Sequence, residues 1–237
     1  MSTQVSYKND VELKSLFVAE IIRHRKADQI LQGTYGKENG KWQGCAVGCS
    51  IHSLNLKLGK SYDTSDHSVY ETELGIPEWM ARLEDTIFEG LPKVEAMRWP
   101  ERFAKAVPVG VNLEPVKWKF CAFILKENIE RVLTLKISDN LKKQVVDALR
   151  WVLTLHETAI KTGNWAKSSS WSAESAARSA ARSAESAAES AARSAAWSAA
   201  RSAAWSSWSA ASAARSSSYQ CYAKELLRIL THTFNEK

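Results

Sequence analysis

The chain has 237 residues, of which 45% are hydrophobic and 24% are charged, and its formal net charge at pH 7 is +6. This hydrophobic content is enough for a folded core and excludes a wholly disordered protein. No apolar run of about 18 or more residues is present, and the start MSTQVSYKND lacks the basic and then apolar pattern of a signal peptide. We therefore expect a cytoplasmic protein that does not enter the membrane.

The cysteines and the positive charge limit the kinds of site and partner that we expect. Without a secretory signal, the four cysteines should stay reduced and serve as packing residues, metal ligands or nucleophiles. The net charge favours anionic partners such as a nucleotide, nucleic acid or an acidic protein. Lys and Arg are spread along the chain, with one local cluster at 23–26, so nucleic acid ranks below a protein or a small anion.

The first two thirds of the chain carry helix signals and no convincing strand pattern. Apolar residues recur at helical spacing between residues that begin or end helices. In chain order these signals are Asp10, Gly33, Pro77, Pro92, Ser138 or Asp139, and Gly163. The Gly-rich segment 33–44 reads as a loop, with no hairpin signal. We predict an all-α fold in which residues 1–165 form one compact helical domain.

A group of three metal-ligand residue types follows this loop. Cys45, Cys49 and His52 are each about one helical turn from the next, so a helix would project all three from one face. Two thiolates and an imidazole suit a zinc ion, with a fourth ligand supplied after folding by His67, Cys121 or His156. The protein would then be stabilised by zinc.

Cys45 also has the position of a nucleophile. In the first turn of a helix, unpaired N–H groups and the helix dipole would stabilise its thiolate and lower its pKa. The glycines of loop 33–44 would let an anionic, nucleotide-like ligand approach closely, and His67 or His156 would be the base. The third interpretation is that Cys45 and Cys49 are packing residues of a buried helix.

Acidic residues beside His67 offer a weaker constellation. The stretch SDHSVYETE and the later pair Glu84 and Asp85 combine carboxylates with a histidine, which is the composition of an acid–base site. Acidic residues near helix starts are more often caps, and those further along are more often on a solvated face. We expect these ordinary roles, with Glu84 and Asp85 on a solvated face, and not an acid–base site.

Residues 166–218 form a Ser/Ala-rich repeat with the unit X-S-A-A, in which X is Trp, Glu or Arg. Ala favours a helix and no Gly or Pro interrupts the segment, so we predict one helix of roughly 50 residues, about 75 Å long. Its small residues allow close helix packing, and its tryptophans are typical interface anchors unless they dock on the front domain. The predicted interface residues are Trp171, Trp197, Arg201, Trp205 and Trp208. Residues 219–237 form a separate amphipathic C-terminal helix.

The signatures GTYGKENGKWQGCAVGCSIHSL and YETELGIPEWMARLEDTIFEGLP, with the repeat and the closing YAKELLRIL, resemble uncharacterised proteins of phage and bacterial genomes. The tail alone is similar to Ala-repeat immunity proteins of bacterial polymorphic toxin systems. The resemblance implies an intracellular binding protein of the immunity or anti-defence type, with a protein partner or a second copy on the repeat helix. The alternatives are an enzyme or small-anion binder centred on Cys45, and a zinc-stabilised protein.

Overall fold

The computed structural model describes residues 4–27, 29–38, 42–165 and 204–234. Within these ranges the chain is mostly helical, and its strands are confined to one short pair. The predicted all-α fold is confirmed. No helix in the described part of the chain is both long enough and apolar enough to cross a membrane.

The elements of the described ranges follow a simple order along the chain. They are a 3-10 helix, Ser6–Asn9; α1, Val11–Lys26; β1, Lys37–Glu38; β2, Trp42–Gln43; α2, Ala46–Leu58; α3, Ser68–Leu74; α4, Glu78–Gly90; α5, Lys93–Ala96; α6, Trp99–Ala106; α7, Glu114–Thr134; α8, Asp139–Thr162; and α9, Ala204–His232.

Two helices begin at caps that the sequence predicts. The Asp10 carboxylate accepts hydrogen bonds from the backbone N–H groups of Glu12 at 2.8 Å and Leu13 at 3.1 Å, and α1 starts directly after it. The Ser138 hydroxyl accepts from the Leu141 N–H at 3.4 Å at the start of α8. Each cap supplies an acceptor to N–H groups that have no partner within their own helix.

One predicted helix end is right and another is wrong. Gly163 ends α8 in the left-handed conformation, with φ of +68°. Helix α1 ends at Lys26 and not at Gly33. The segment after α1 is extended because it pairs with Gly44: the Leu31 N–H donates to the Gly44 carbonyl at 2.8 Å, and the Gly44 N–H donates to the Gln29 carbonyl at 2.9 Å.

The predicted loop 33–44 contains the strand pair. β1 and β2 are antiparallel, with Lys37 opposite Gln43 and Glu38 opposite Trp42. Strands of two residues are too short to show an alternating apolar pattern, so the sequence carries no hairpin signal. Together with the pairing of residues 29–31 to Gly44, this pair fixes the entry into α2.

The chain divides into two compact units, and the first comprises residues 1–116 and 213–237. Its core lies between α1, α2, α4 and α6, which contact one another in sequence-distant pairs. The largest side chains fully buried there are Tyr7, Phe17, Tyr70, Phe88, Trp99 and Phe103. Aromatic side chains of this size dominate the apolar area that a core removes from water.

The C-terminal part of α9 completes this first unit. Four residues at helical spacing are buried on its inner face: Ala223, Leu226, Ile229 and Leu230. The Tyr219 ring lies against Gly90, and the Gln220 side-chain amide donates to the Glu95 carboxylate at 2.5 Å. The predicted boundary between residues 218 and 219 therefore falls inside a single helix.

The second unit comprises residues 117–212. Its described helices are most of α7, the whole of α8 and the start of α9. The Lys126 ammonium and the Glu157 carboxylate form an ion pair of 2.9 Å between α7 and α8, and Ile129, Val146 and Ala159 are buried. This unit holds Cys121 and His156, two of the candidate fourth ligands.

Candidate functional site

Cys45 is the N-cap of α2 and is almost completely buried, with 1% of its surface exposed. Its Sγ accepts a hydrogen bond from the Gly48 N–H at 3.3 Å, and its own N–H donates to the Thr34 carbonyl at 2.6 Å. The backbone at Tyr35 lies close to this end of α2. A Cβ at Gly48 would stand 1.8 Å from the Tyr35 carbonyl oxygen, so glycine is required there.

The structure does not bring Cys49 and His52 together with Cys45 as a ligand set. The Cys49 Sγ donates to the carbonyl oxygens of Gly44 at 3.3 Å and Gln29 at 3.5 Å. The His52 ring stacks on Trp42, with centroids 4.1 Å apart and planes 9° apart. The predicted set of Cys45, Cys49 and His52 is therefore not assembled, because the backbone around α2 and the β2 tryptophan engage the other two side chains.

The partners that Cys45 does meet come from α4. Among the described residues, one group of at least three His, Cys, Asp or Glu side chains has mutually close ligand atoms: Cys45, Asp85 and Glu89. One ligand atom of each lies within 4.8 Å of the others. Asp85 and Glu89 are one turn apart on α4, so both side chains face the same direction. Asp85 is buried and Glu89 is exposed, which leaves the cluster open to solvent on one side.

His67 borders this cluster through Asp85. Its Nε2 lies 3.4 Å from the Asp85 Oδ2, and the Tyr35 hydroxyl donates to the same oxygen at 3.1 Å. The His67 and Tyr35 rings meet edge to face, with centroids 5.6 Å apart. Of the predicted ligands, Cys45 lies in the cluster and His67 lies beside it. Cys121 and His156 belong to the second unit.

Burial sets the protonation chemistry of the cluster. Desolvation first, and the negative charge of Asp85 second, raise the pKa of the Cys45 thiol, and the Gly48 N–H bond offsets only part of this. The prediction of a lowered Cys45 pKa is therefore wrong, because the helix N-terminus is dehydrated and faces a carboxylate. Desolvation also raises the pKa of Glu89, and the Asp85 charge adds to it. Similarly, burial raises the pKa of the Cys49 thiol to about 11.

The expectation that Glu84 and Asp85 lie on a solvated face is wrong. Glu84 is fully buried, and Asp85 is 8% exposed. Desolvation raises the pKa of the Glu84 carboxyl to about 8, and the Asp85 charge also raises it, while the nearby Tyr70 hydroxyl lowers it. The signal was present in the sequence, since Glu84 follows Met80 and precedes Phe88 by one helical turn on the apolar face of α4.

Sequence reasoning missed two contributors to the site. Glu89 is one of them, and its signal in the sequence is that it follows Asp85 by one turn in a segment predicted to be helical. Tyr35 lies in a segment predicted to be a loop, and nothing local in the sequence indicates that its hydroxyl reaches Asp85. A contact of this kind depends on tertiary packing.

The predicted interface residues fall at the edge of the described chain. Trp171, Trp197 and Arg201 lie outside the described residues. Trp205 and Trp208 are positions of the helix α9. Their assignment to an interface stays a prediction.

No known protein family, curated protein or solved structure matches this chain. The resemblance to phage and bacterial proteins therefore stays a prediction, as does the similarity of the tail to immunity proteins. No residue role comes to this chain from a relative. The chemistry of the site rests on its own geometry.

Proposed function

We propose that this chain is a non-enzymatic binding protein, of the immunity or anti-defence type, in which the Ser/Ala/Trp helix is the interface for a partner protein or a second copy. One observation carries the proposal: α9 is a single helix from Ala204 to His232, and its C-terminal part is built into the first unit. The described end of the repeat, residues 204–218, thus lies in the same helix as the anchored residues.

The anchor consists of apolar contacts and two specific neighbours. Leu226, Ile229 and Leu230 are at most 3% exposed, and burying each side chain stabilises the fold by about 1.5–3 kcal/mol. Tyr219 packs on Gly90, and Gln220 donates to Glu95. A helix held in this way presents its preceding residues with little loss of conformational entropy on binding, which favours affinity.

The helical register supports an interface role for the tryptophans. Trp205 and Trp208 precede Ala223 and Leu226 by the same interval, which equals five turns of an α-helix at about 3.6 residues per turn. The two tryptophan positions therefore continue the stripe that Ala223 and Leu226 use for docking. Ser and Ala on the adjacent positions let a second backbone approach closely.

The alternatives centred on Cys45 receive less support from the geometry. A thiol that is 1% exposed and has a raised pKa is a poor nucleophile. The side chains closest to it in the cluster, Asp85 and Glu89, are carboxylates, and they do not favour an anionic, nucleotide-like ligand. The zinc alternative concerns a different set of ligands and is treated below.

The test is the double variant Trp205→Ala with Trp208→Ala, compared with Trp165→Ala. Trp165 is 41% exposed and follows α8, so its removal controls for loss of an exposed tryptophan. Native mass spectrometry gives the oligomeric state, and a pull-down followed by titration with the purified captured protein gives partner affinity. We expect the double variant to lose at least about thirtyfold in affinity, as hot-spot residues do, with an unchanged circular dichroism spectrum. Association that is equal in all three proteins, or no association by wild type, would overturn the proposal.

A further inference from the structure

The Cys45, Asp85 and Glu89 ligand atoms lie near enough to one another to be drawn onto one metal ion. All three lie within 4.8 Å of one another, and they come from the start of α2 and from two successive turns of α4. Zinc ligands lie about 2.0–2.3 Å from the ion, so neighbouring ligand atoms around a tetrahedral ion are roughly 3.5 Å apart. The ligand atoms must therefore draw closer by at most about 1.3 Å to surround one ion.

Within the described chain, His67 is the one basic side chain that contacts a carboxylate of this cluster. Asp85 contacts the Tyr35 hydroxyl and His67, and Glu89 accepts hydrogen bonds from the Gly33 N–H at 3.0 and 2.9 Å. No Lys or Arg of the described residues forms an ion pair with either carboxylate. The Asp85 Oδ1 is buried and has no hydrogen-bond partner. Burying a carboxylate oxygen without a hydrogen-bond partner is unfavourable, and a bound cation offsets that cost.

His67 lies beside Asp85 with its two ring nitrogens in different surroundings. Its Nδ1 lies 2.9 Å from the Ser65 carbonyl oxygen, which can only accept, so Nδ1 carries the proton. The other ring nitrogen, Nε2, lies 3.4 Å from the Asp85 Oδ2. Metal-binding histidines use this arrangement, with one nitrogen donating to a carbonyl and the other free for the metal.

We infer that Cys45, Asp85 and Glu89 bind a divalent transition-metal ion, of which Zn²⁺ is the type, with the His67 imidazole beside the Asp85 carboxylate. A thiolate with an imidazole and carboxylates suits Zn²⁺ or Co²⁺ and disfavours Mg²⁺ and Ca²⁺, which take oxygen ligands. Binding displaces the Cys45 thiol proton to solvent. The exposed Glu89 marks the side from which the ion enters. The site lies on α2 and α4 and is independent of the helix interface proposed above.

The experiment is a Co²⁺ titration of the full chain after treatment with a chelator, followed by competition with Zn²⁺. Binding at Cys45 gives a thiolate-to-cobalt charge-transfer absorption in the near ultraviolet. Isothermal titration calorimetry of Zn²⁺ in two buffers of different ionisation enthalpy measures the proton released. We expect one ion per chain and the release of a proton.

Matched variants locate the ion. Glu89→Gln changes an exposed residue and keeps an acceptor for the Gly33 N–H, so it should fold. Outer-shell changes already weaken metal binding by about 10–100-fold, so we expect at least a tenfold loss of Zn²⁺ affinity in Glu89→Gln and loss of the charge-transfer band in Cys45→Ser. Cys49→Ser, an equally buried cysteine outside the cluster, should keep both. Failure of wild type to bind either ion, or binding unaffected in both Glu89→Gln and Cys45→Ser, overturns the inference.

Discussion

The ring of Tyr219 fills the space in which a side chain at Gly90 would lie. A Cβ built on Gly90 would stand 2.1 Å from Cδ2 and 2.2 Å from Cγ of that ring. Gly90 is the last residue of α4, and Tyr219 belongs to the part of α9 that completes the first unit. The absence of a side chain at one residue therefore lets two helices separated by most of the sequence meet.

The first prediction concerns this contact. Gly90→Ala should destabilise the protein by about 1–3 kcal/mol, because an added methyl overpacks a site that has no free volume. Urea unfolding measures the change in the free energy of unfolding. Tyr219→Ala in the same chain should make the glycine substitution nearly neutral. If Gly90→Ala unfolds at the wild-type urea concentration, the two helices do not meet in this way.

The second prediction concerns the inner face of α9. Leu226→Ala should cost about 2–5 kcal/mol, since Leu226 is fully buried and its truncation leaves a cavity. Lys224→Ala, at an exposed position of the same helix, should stay within about 0.5 kcal/mol of wild type. Chemical denaturation of both variants provides the comparison. Equal stabilities would show that α9 does not dock through this face.

The third prediction concerns the start of α2. Gly48→Ala should destabilise the fold by about 1–3 kcal/mol or more, because the new Cβ would meet the Tyr35 carbonyl oxygen at 1.8 Å and backbone cannot rotate away as a flexible side chain does. Ser50→Ala, two residues along the same buried helix, removes a hydroxyl that donates to the Ala46 carbonyl and adds no atoms, so it should cost less. Thermal unfolding followed by circular dichroism ranks the two. A reversed ranking would contradict the close approach of Tyr35 to α2.

The fourth prediction is a pH dependence centred on His24. This histidine is fully buried, its Nε2 lies 2.7 Å from the Ser53 hydroxyl, and desolvation first and Arg23 second lower its pKa to about 4. The unfolded chain, with an ordinary histidine pKa near 6.5, binds the proton more readily than the folded chain does. Protonation of His24 therefore leaves the free energy of unfolding unchanged above pH 6.5 and lowers it progressively as the pH falls towards 4.

The measurement compares wild type with His24→Gln in urea at several pH values. Between pH 7 and pH 4 the wild type should lose about 3 kcal/mol more than the variant, which is the shift of the histidine pKa expressed as free energy. His232→Gln, at an exposed position of α9, is the control and should follow wild type. A stability difference between wild type and His24→Gln that does not change with pH would contradict the prediction.

Local signals in the sequence give the helices correctly wherever a cap determines the boundary. Asp10, Ser138 and Gly163 act within a few residues of their own position, so their roles can be inferred without a fold. Gly33 was misassigned because the end of α1 depends on pairing between residue 31 and Gly44, which is a contact between segments that the sequence does not link.

The candidate site was only half predictable for the same reason. Cys45 and His67 were singled out by residue type, but the side chains that face Cys45 come from α4, and only packing of α2 against α4 joins them. The burial of Glu84 could have been inferred from its position between Met80 and Phe88 on an apolar helix face. Residue types in the sequence identify the candidate site residues, and the tertiary packing of the helices determines which of them lie together.

Residues 213–237 complete a unit whose other part is residues 1–116. During synthesis, the first unit therefore cannot finish folding until residues 213–237 have been made. The ribosome adds about 5–20 residues per second. Roughly 6–24 s therefore separate the synthesis of residue 116 from the completion of residues 213–237, which cover apolar surface of residues 1–116. Throughout this interval the nascent chain lacks Leu226, Ile229 and Leu230, and chaperones have a defined window in which to act on it. The sequence made during that interval comprises most of α7, the whole of α8 and most of the Ser/Ala repeat.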